Sequence, residues 1–380
     1  MKIGILGTRG IPNQYGGFEQ LAEYLSVGLM ARSFEVYVYN THNHAYQEKT
    51  WNGVHIIHCF NPEEKLKTAG QFIYDLNCIV DARKRDFDVL LILGYTSISV
   101  WGRLFPKKAV TIINMDGLEW KRNKYAGKIR HFLFYAERLA VKFCDYFVAD
   151  SIAIQKYLHS KYSVASTFIA YGAELPGEAK EAHLEGKGLS KFNYFLIIAR
   201  MEPENNIEMM LDGFAASNSD KKMIIIGNPT NRFGTYLQNK FRHDKRIAFL
   251  GAIYDKEILH SLKAYSSLYF HGHSAGGTNP SLLEAMASRA LIAANNNEFN
   301  ASLLQKDAYY FLDAEEVKKL VEEVTHGEKE KNMIANNFRK IREEFTWPKI
   351  IDQYTDFIIS CYNDKYAGFA FAEIRNTDEN

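Results

Sequence analysis

Val89-Leu90-Leu91-Ile92-Leu93 is apolar at every position, and Met223-Ile224-Ile225-Ile226 repeats the pattern in the second half of the chain. A strand with one wet face alternates polar and apolar residues. A strand apolar throughout is covered on both faces, the condition of a parallel sheet between helices. Similar short runs recur outward from these two. They predict strands over 2–6, 35–39, 55–59, 89–93, 109–114, 146–149 and 167–170, then over 194–198, 222–226, 247–250, 268–271, 291–294 and 309–312. Helical periodicity fills the gaps: Phe18, Leu21, Ala22, Leu25 and Leu29 make one stripe after the first strand. Strands alternating with helices predict βαβ units and an α/β, doubly wound architecture.

At 380 residues the chain is long enough for two such domains. The reading places the first over 1–175, a polar Gly/Lys/Glu-rich linker over 176–190 and the second over 191–346. A closing helix over 347–366 follows Trp347-Pro348 and returns to the first domain, with a polar tail over 367–380. A composition 47% hydrophobic and 24% charged is that of a soluble globular protein. Net charge is +1, but 1–175 carries +5 and the remainder −4, which suggests that one half faces an anionic surface. Cys59, Cys78, Cys144 and Cys361 show no CxxC spacing and read as reduced core thiols. Residues 1–7 read as a strand and not as a signal sequence, and no apolar run spans a bilayer; a cytoplasmic protein is expected.

Open parallel sheets bind ligands outside the carboxyl ends of their strands, so the loops there locate the site. They read Gly7-Thr8-Arg9-Gly10-Ile11-Pro12 with Gly16-Gly17 opening a helix, Gly94-Tyr95-Thr96, Asp116-Gly117-Leu118-Glu119-Trp120, Arg200, Gly227-Asn228-Pro229, and His273 through Pro280. The most informative is Gly276-Gly277-Thr278-Asn279-Pro280-Ser281-Leu282-Leu283-Glu284. Asn279 caps and Pro280 starts a helix whose N–H groups and dipole suit a diphosphate, and Glu284 stands one turn further in, within reach of ribose hydroxyls. Taken alone, the same residues also make an ordinary helix start. Arg200 is either a bidentate phosphate clamp or a surface arginine, and Asp116 either a site residue or a turn former. His271 and His273 lack a third ligand, which excludes zinc. Asn40 ends the second strand and the first loop is not G-x-G-x-x-G, which disfavours a nicotinamide enzyme. The basic residues lack the interleaved aromatic platform of a nucleic-acid binder.

Together these loops resemble retaining glycosyltransferases of the GT-B fold, family 4, and within it the bacterial β-1,4-rhamnosyltransferase-like branch. The resemblance runs in order along nearly the whole chain. It rests on residues 7–12 with Tyr15-Gly16-Gly17-Phe18-Glu19, on Asp116-Gly117-Leu118-Glu119-Trp120-Lys121-Arg122, on Ala199-Arg200-Met201-Glu202-Pro203-Glu204-Asn205-Asn206, and on 276–287. It implies two Rossmann-like domains facing across a cleft. It also implies transfer of a sugar, L-rhamnose from dTDP-rhamnose, to a lipid-linked or free saccharide in capsule or O-antigen synthesis, without a metal or other cofactor. The alternatives are a transferase for another UDP- or GDP-hexose, a nucleotide-sugar epimerase, and a non-catalytic nucleotide-sugar-binding subunit.

On this resemblance Asp116 and Arg200 are catalytic. Gly16, Gly17, Arg200, Asn205, His273, Gly276, Gly277, Thr278, Asn279, Ser281 and Glu284 bind donor, and Arg9, Tyr15, Glu119, Trp120 and Lys121 face acceptor. Two positions depart from the family pattern: Gly276 stands where a first glutamate is usual, and Asn205 where a lysine is. Residues 121–143 combine Lys121, Arg122, Lys124, Lys128, Arg130, Arg138 and Lys142 with an apolar helical stripe. They read either as a helix on an anionic bilayer surface or as one packed on its own sheet.

Overall fold

The apolar runs form parallel strands in two separate sheets. The computed structural model describes residues 1–14, 16–115, 117–121, 127–274 and 276–377, without the side chains of Lys121 and 367–377. The chain makes two units, one of Met1–Trp120, Gly127–Tyr171 and Trp347 onward, the other of Gly172–Thr346.

In the first unit the strands are β1 (Lys2–Leu6), β2 (Glu35–Thr41), β3 (Thr50–Trp51), β4 (Val54–Cys59), β5 (Val89–Leu93), β6 (Val110–Asn114), β7 (Tyr146–Ala149) and β8 (Thr167–Phe168). Their order is β3-β4-β2-β1-β5-β6-β7-β8, parallel except for the β3–β4 hairpin. Ile3 sits in register between Val36 and Val89, and β5 is buried along its whole length. The helices are α1 (Gly17–Ala31), α2 (Glu63–Leu66), α3 (Thr68–Ala82), α4 (Gly127–Phe143) and α5 (Ile152–Tyr162), with a 3-10 helix at Ile98–Leu104. Strand β3 escapes the apolar pattern because it is two residues long. Its turn is Asn52-Gly53, both at positive φ, the backbone of a tight hairpin.

The second unit holds β9 (Tyr194–Ile198), β10 (Lys222–Ile226), β11 (Ile247–Gly251), β12 (Leu268–His271), β13 (Ile292–Asn295) and β14 (Tyr309–Phe311) in the order β11-β10-β9-β12-β13-β14, all parallel. Its helices are α6 (Ala182–Glu185), α7 (Ile207–Ala215), α8 (Arg232–Phe241), α9 (Lys256–Ala264), α10 (Pro280–Ala287), α11 (Glu298–Leu304), α12 (Ala314–Glu323) and α13 (Glu328–Glu344). Phe195 meets Phe214 and Phe270 edge-on at about 6 Å, and Phe270 meets Phe311 likewise. Each such ring removes a large apolar area from water and so anchors the helices to the sheet.

Two boundaries differ from the sequence expectation. The stretch 176–190 is packed on the second unit: α6 buries Leu184 completely, Lys180 N–H donates to Ser261 Oγ at 3.0 Å, and Tyr265 donates to the Ala179 carbonyl at 2.7 Å. A single well-placed leucine is invisible to a search for periodicity. The last helix, α14 (Trp347–Thr377), extends past 366, through an alanine-rich segment that favours helix. It lies on the first unit, where Trp347 stacks on Tyr24 with centroids 4.2 Å apart and Asn114 Nδ2 donates to the Tyr354 hydroxyl at 3.0 Å.

Candidate nucleotide-sugar site

In both sheets the chain starts in the middle and changes direction once, between β1 and β5 in the first and between β9 and β12 in the second. A crevice opens outside the carboxyl ends at such a switch point. In the second unit the adjoining loops are the Arg200 loop, after β9, and the His273–Asn279 loop, after β12. Backbone contact holds them together. Ser274 donates through N–H and Oγ to the Glu204 carbonyl at 3.3 and 2.9 Å, and Asn206 Nδ2 donates to the Gly272 carbonyl at 2.8 Å. Asn205 is buried, and its Nδ2 donates to the Arg200 carbonyl at 2.8 Å, so this side chain braces the Arg200 loop from beneath. The Arg200 side chain is exposed, and its guanidinium has no partner among the described residues.

The start of α10 differs in detail from the expected anion site. Asn279 Oδ1 accepts from Ser281 N–H and Ser281 Oγ, both at 2.9 Å, while Leu282 and Leu283 N–H groups bond to the Asn279 carbonyl. Pro280 has no N–H. The first turn of the helix is therefore spent internally, because cap and proline together consume or remove its donors. The amides without a partner among the described residues are those of Gly276, Gly277 and Asn279, in the loop ahead of the helix. Thr278 is buried beside them. Gly276 has φ +124° with nothing within 4 Å of where a Cβ would stand, a conformation that suits glycine and strains glutamate.

His273 sits above His271, rings stacked at 4.4 Å and 14°. His271 is wholly buried with neither ring nitrogen bonded among the described residues. Burial, then the neighbouring His273, lowers its pKa well below the ordinary histidine value, so the ring is neutral. The His273 carbonyl accepts from Asn297 Nδ2 at 3.0 Å and Asn300 Nδ2 at 3.1 Å, which fixes the loop from the β13 side. Glu284, half-exposed on α10, takes the ammonium of Lys263 on Oε2 at 2.7 Å, and the Lys263 side chain is only 3% exposed.

Arg9, Gly16, Gly17, Glu119 and Trp120 belong to the first unit. Gly16 precedes α1 in extended conformation and supplies no side-chain cap, and Gly17 is its first residue. Buried Glu19 accepts from Arg9 N–H at 2.9 Å and Thr8 Oγ1 at 3.3 Å, and the Arg9 guanidinium pairs with Glu63 at 2.7 Å. Glu119, Trp120 and the backbone of Lys121 form a short 3-10 turn after β6. Tyr15 and Asp116 lie outside the described residues, as do Arg122 and Lys124.

Trp120 is held by a network that sequence reasoning missed. Buried Glu137 accepts from Trp120 Nε1 at 3.1 Å, Tyr157 at 2.7 Å, Tyr162 at 2.5 Å and Lys161 Nζ at 2.8 Å. The Lys161 ammonium lies 3.4 Å from the Phe134 ring centroid and within 5.4 Å of those of Trp120, Tyr157 and Tyr162. Burial first, and then Glu137, raises both tyrosine pKa values. One signal was present: Leu133, Ala136, Glu137 and Ala140 share the helix face that is buried. The Asn295-Asn296-Asn297 run was a second signal, polar residues ending a buried strand. Lys263 gave none, because a lysine near the end of an amphipathic helix reads as solvated.

Residues 1–174 match a family described as a domain of unknown function, DUF1972, and residues 180–341 match the family of glycosyl transferases group 1. No curated protein matches the chain in sequence. Among solved structures, sucrose-phosphate synthase from Thermosynechococcus elongatus is similar with TM-score 0.77 at 14% identity, covering 97% of this chain and 99% of that one. Trehalose 6-phosphate synthase from Burkholderia multivorans gives 0.75 at 12%, over 97% and 98%. Anabaena HepE in complex with UDP-glucose gives 0.73 at 15%, over 95% and 100%. At such identities these likenesses speak for the fold, which is GT-B, two Rossmann-like domains. With a glycosyl transferases group 1 domain over 180–341, the chain is a glycosyltransferase.

Proposed function

We propose that the enzyme transfers L-rhamnose from dTDP-rhamnose, with retention, to a lipid-linked saccharide in the synthesis of a bacterial surface polysaccharide. The observation that carries the donor reading is the exposed Arg200 guanidinium at the switch point, without a partner among the described residues, on a loop bonded to the one that bears the amides of Gly276, Gly277 and Asn279, likewise without partners among the described residues. When the sugar–phosphate bond breaks, negative charge gathers on the diphosphate. Fixed donors and a guanidinium stabilise that charge without reorganising. Glu284 accepts from the nucleoside sugar. These protein groups take the place of a divalent metal. Asp116 orients the acceptor hydroxyl or faces the oxocarbenium-like sugar, and front-face displacement leaves no covalent intermediate. The UDP-glucose complex of HepE supports a nucleoside diphosphate sugar as donor class; thymidine and rhamnose come from the resemblance of the glycine loops.

For the acceptor, α4 buries Leu133, Ala136 and Ala140 but leaves Ile129, Phe134 and Tyr135 exposed beside Lys128, Arg130 and Arg138. That combination suits an anionic bilayer surface. Among the described residues no helix is long and apolar enough to cross a membrane. Co-sedimentation with anionic liposomes at low salt tests the contact, and no binding there rules it out.

The donor reading is tested by calorimetric binding of dTDP, UDP, GDP and ADP, each with and without EDTA. Tight, EDTA-insensitive binding of dTDP that is lost in Arg200→Ala and Glu284→Ala is expected, with turnover of Arg200→Ala down on the order of 10²–10³. A preference for UDP or GDP changes the sugar and keeps the site. Nucleotide binding without turnover of any donor would make the chain a binding subunit.

A further inference from the structure

The carboxyl edge of the first sheet carries a polar cluster on the loops after β1, β2 and β4. Backbone bonds tie these loops together: the Arg9 carbonyl accepts from Thr41 N–H at 3.0 Å, and His42 N–H donates to the Cys59 carbonyl at 2.8 Å. Glu63 accepts from the Arg9 guanidinium on both oxygens, at 2.7 and 3.3 Å, and from Asn61 Nδ2 at 3.3 Å. Asn61 N–H donates to His42 Nδ1 at 2.9 Å, which places the ring proton on Nε2. Gln71 Oε1 lies 3.5 Å from Arg9 Nη2. The His42 Nε2–H and the Gln71 amide nitrogen have no partner among the described residues. Beside them the Phe60 ring is 58% exposed, its centroid 4.9 Å from that of His42 at 47°. The cluster thus joins an open aromatic ring to planar hydrogen-bonding groups that hold one another in place.

A pyranose has the complementary surface: hydroxyls around its rim, and an apolar C–H face whose hydrogens suit the negative face of an aromatic ring. The Arg9 charge is neutralised by Glu63, so the cluster suits an uncharged ligand better than an anion. Phe60 follows β4, which lies two strands from β1, on the order of 10 Å along the sheet edge. We propose that these loops form a second saccharide subsite, in which Phe60 packs on the C–H face of a neutral sugar while His42, Gln71 and Glu63 bond its hydroxyls. Its occupant is the sugar of the acceptor chain next to the one that receives the transfer. The proposal rests on the reading of the first unit as the acceptor side.

The test is an array of mono-, di- and trisaccharide glycosides of the common bacterial hexoses, bound to the full chain, with the tightest binders titrated calorimetrically. The wild type should favour the di- and trisaccharides over their monosaccharides by about tenfold, the worth of one aromatic contact with its hydrogen bonds. Phe60→Ala changes a ring already in water and so leaves the fold intact. It should bring the longer glycans within about threefold of the monosaccharides, and Gln71→Ala should shift the ratio the same way. Oligosaccharides bound no tighter than monosaccharides by the wild type overturn the proposal, and that measurement needs no variant to fold. So does a length preference that Phe60→Ala leaves intact. Trp120→Ala should weaken every member of the array alike. Glycan affinity indifferent to both Trp120→Ala and Phe60→Ala, or no glycan bound at all, removes the acceptor-side reading and this inference with it. The length ratio tests the inference alone.

Discussion

A Cβ on Gly272 would lie 2.1 Å from the carbonyl oxygen of Asn205, so the loops that follow β9 and β12 approach each other backbone to backbone. No other residue fits there without moving the Arg200 loop. The contact also explains why Asn205 is buried: it belongs to the seam, and its amide is turned to the Arg200 carbonyl.

Gly272→Ala should therefore separate the loops. The obstacle is backbone and cannot rotate away, so a loss of about 1–3 kcal/mol in unfolding free energy is expected, together with weaker nucleotide binding. Thermal unfolding and calorimetry check both. A variant with wild-type stability and affinity would show that the seam is loose.

Gly276→Glu places the glutamate usual in the wider family at φ +124°, a conformation that costs a non-glycine residue roughly 1–3 kcal/mol. It should lower turnover about tenfold or more. Higher turnover at unchanged stability would mean that the glycine is a tolerated loss and not a local solution.

Asp75, buried on α3, has its pKa pushed up to about 7, chiefly by burial. The folded protein holds that proton more tightly than the unfolded chain, whose carboxyl titrates near 4. Its contribution to stability is therefore full at low pH and is lost as pH rises through 7. Neutral His271 acts with the opposite sign, losing stability as pH falls below about 6.5. Asp75→Asn should raise the melting temperature at pH 8 relative to wild type and change it little at pH 5. An equal shift at both pH values would disprove the assignment.

Lys161→Met leaves the Glu137 carboxylate, 1% exposed, without its cation. A loss of about 3 kcal/mol is expected, and Glu137→Gln should also destabilise, because an amide offers one acceptor oxygen in place of the two that serve Trp120 and the tyrosines. Since Trp120 hangs from the same carboxylate, the acceptor KM of Lys161→Met should rise more than kcat falls. Steady-state kinetics at saturating donor separates the two.

How far the residues announced this arrangement can be judged element by element. Nearly every strand was legible, because a strand buried on both faces needs apolar residues at consecutive positions, and that need is local. Loops at the carboxyl ends were legible for the same reason: glycine, proline and asparagine impose their geometry on their own backbone. The hairpin strand β3 carried its signal in Asn52-Gly53 and not in its hydrophobicity. Leu184 carried none, since one buried leucine in a polar stretch has no period.

Alternating apolar runs and glycine-rich loops thus dictate two parallel sheets and the edge on which chemistry can occur. Which charges meet below that edge was decided only by folding. Lys263 and Glu284 stand 21 residues apart on different helices, and Glu137 and Lys161 are 24 apart. A lysine reads as solvated until the packing of two helices closes water off from it. Desolvation is a property of the surroundings, and no stretch of chain records its own surroundings.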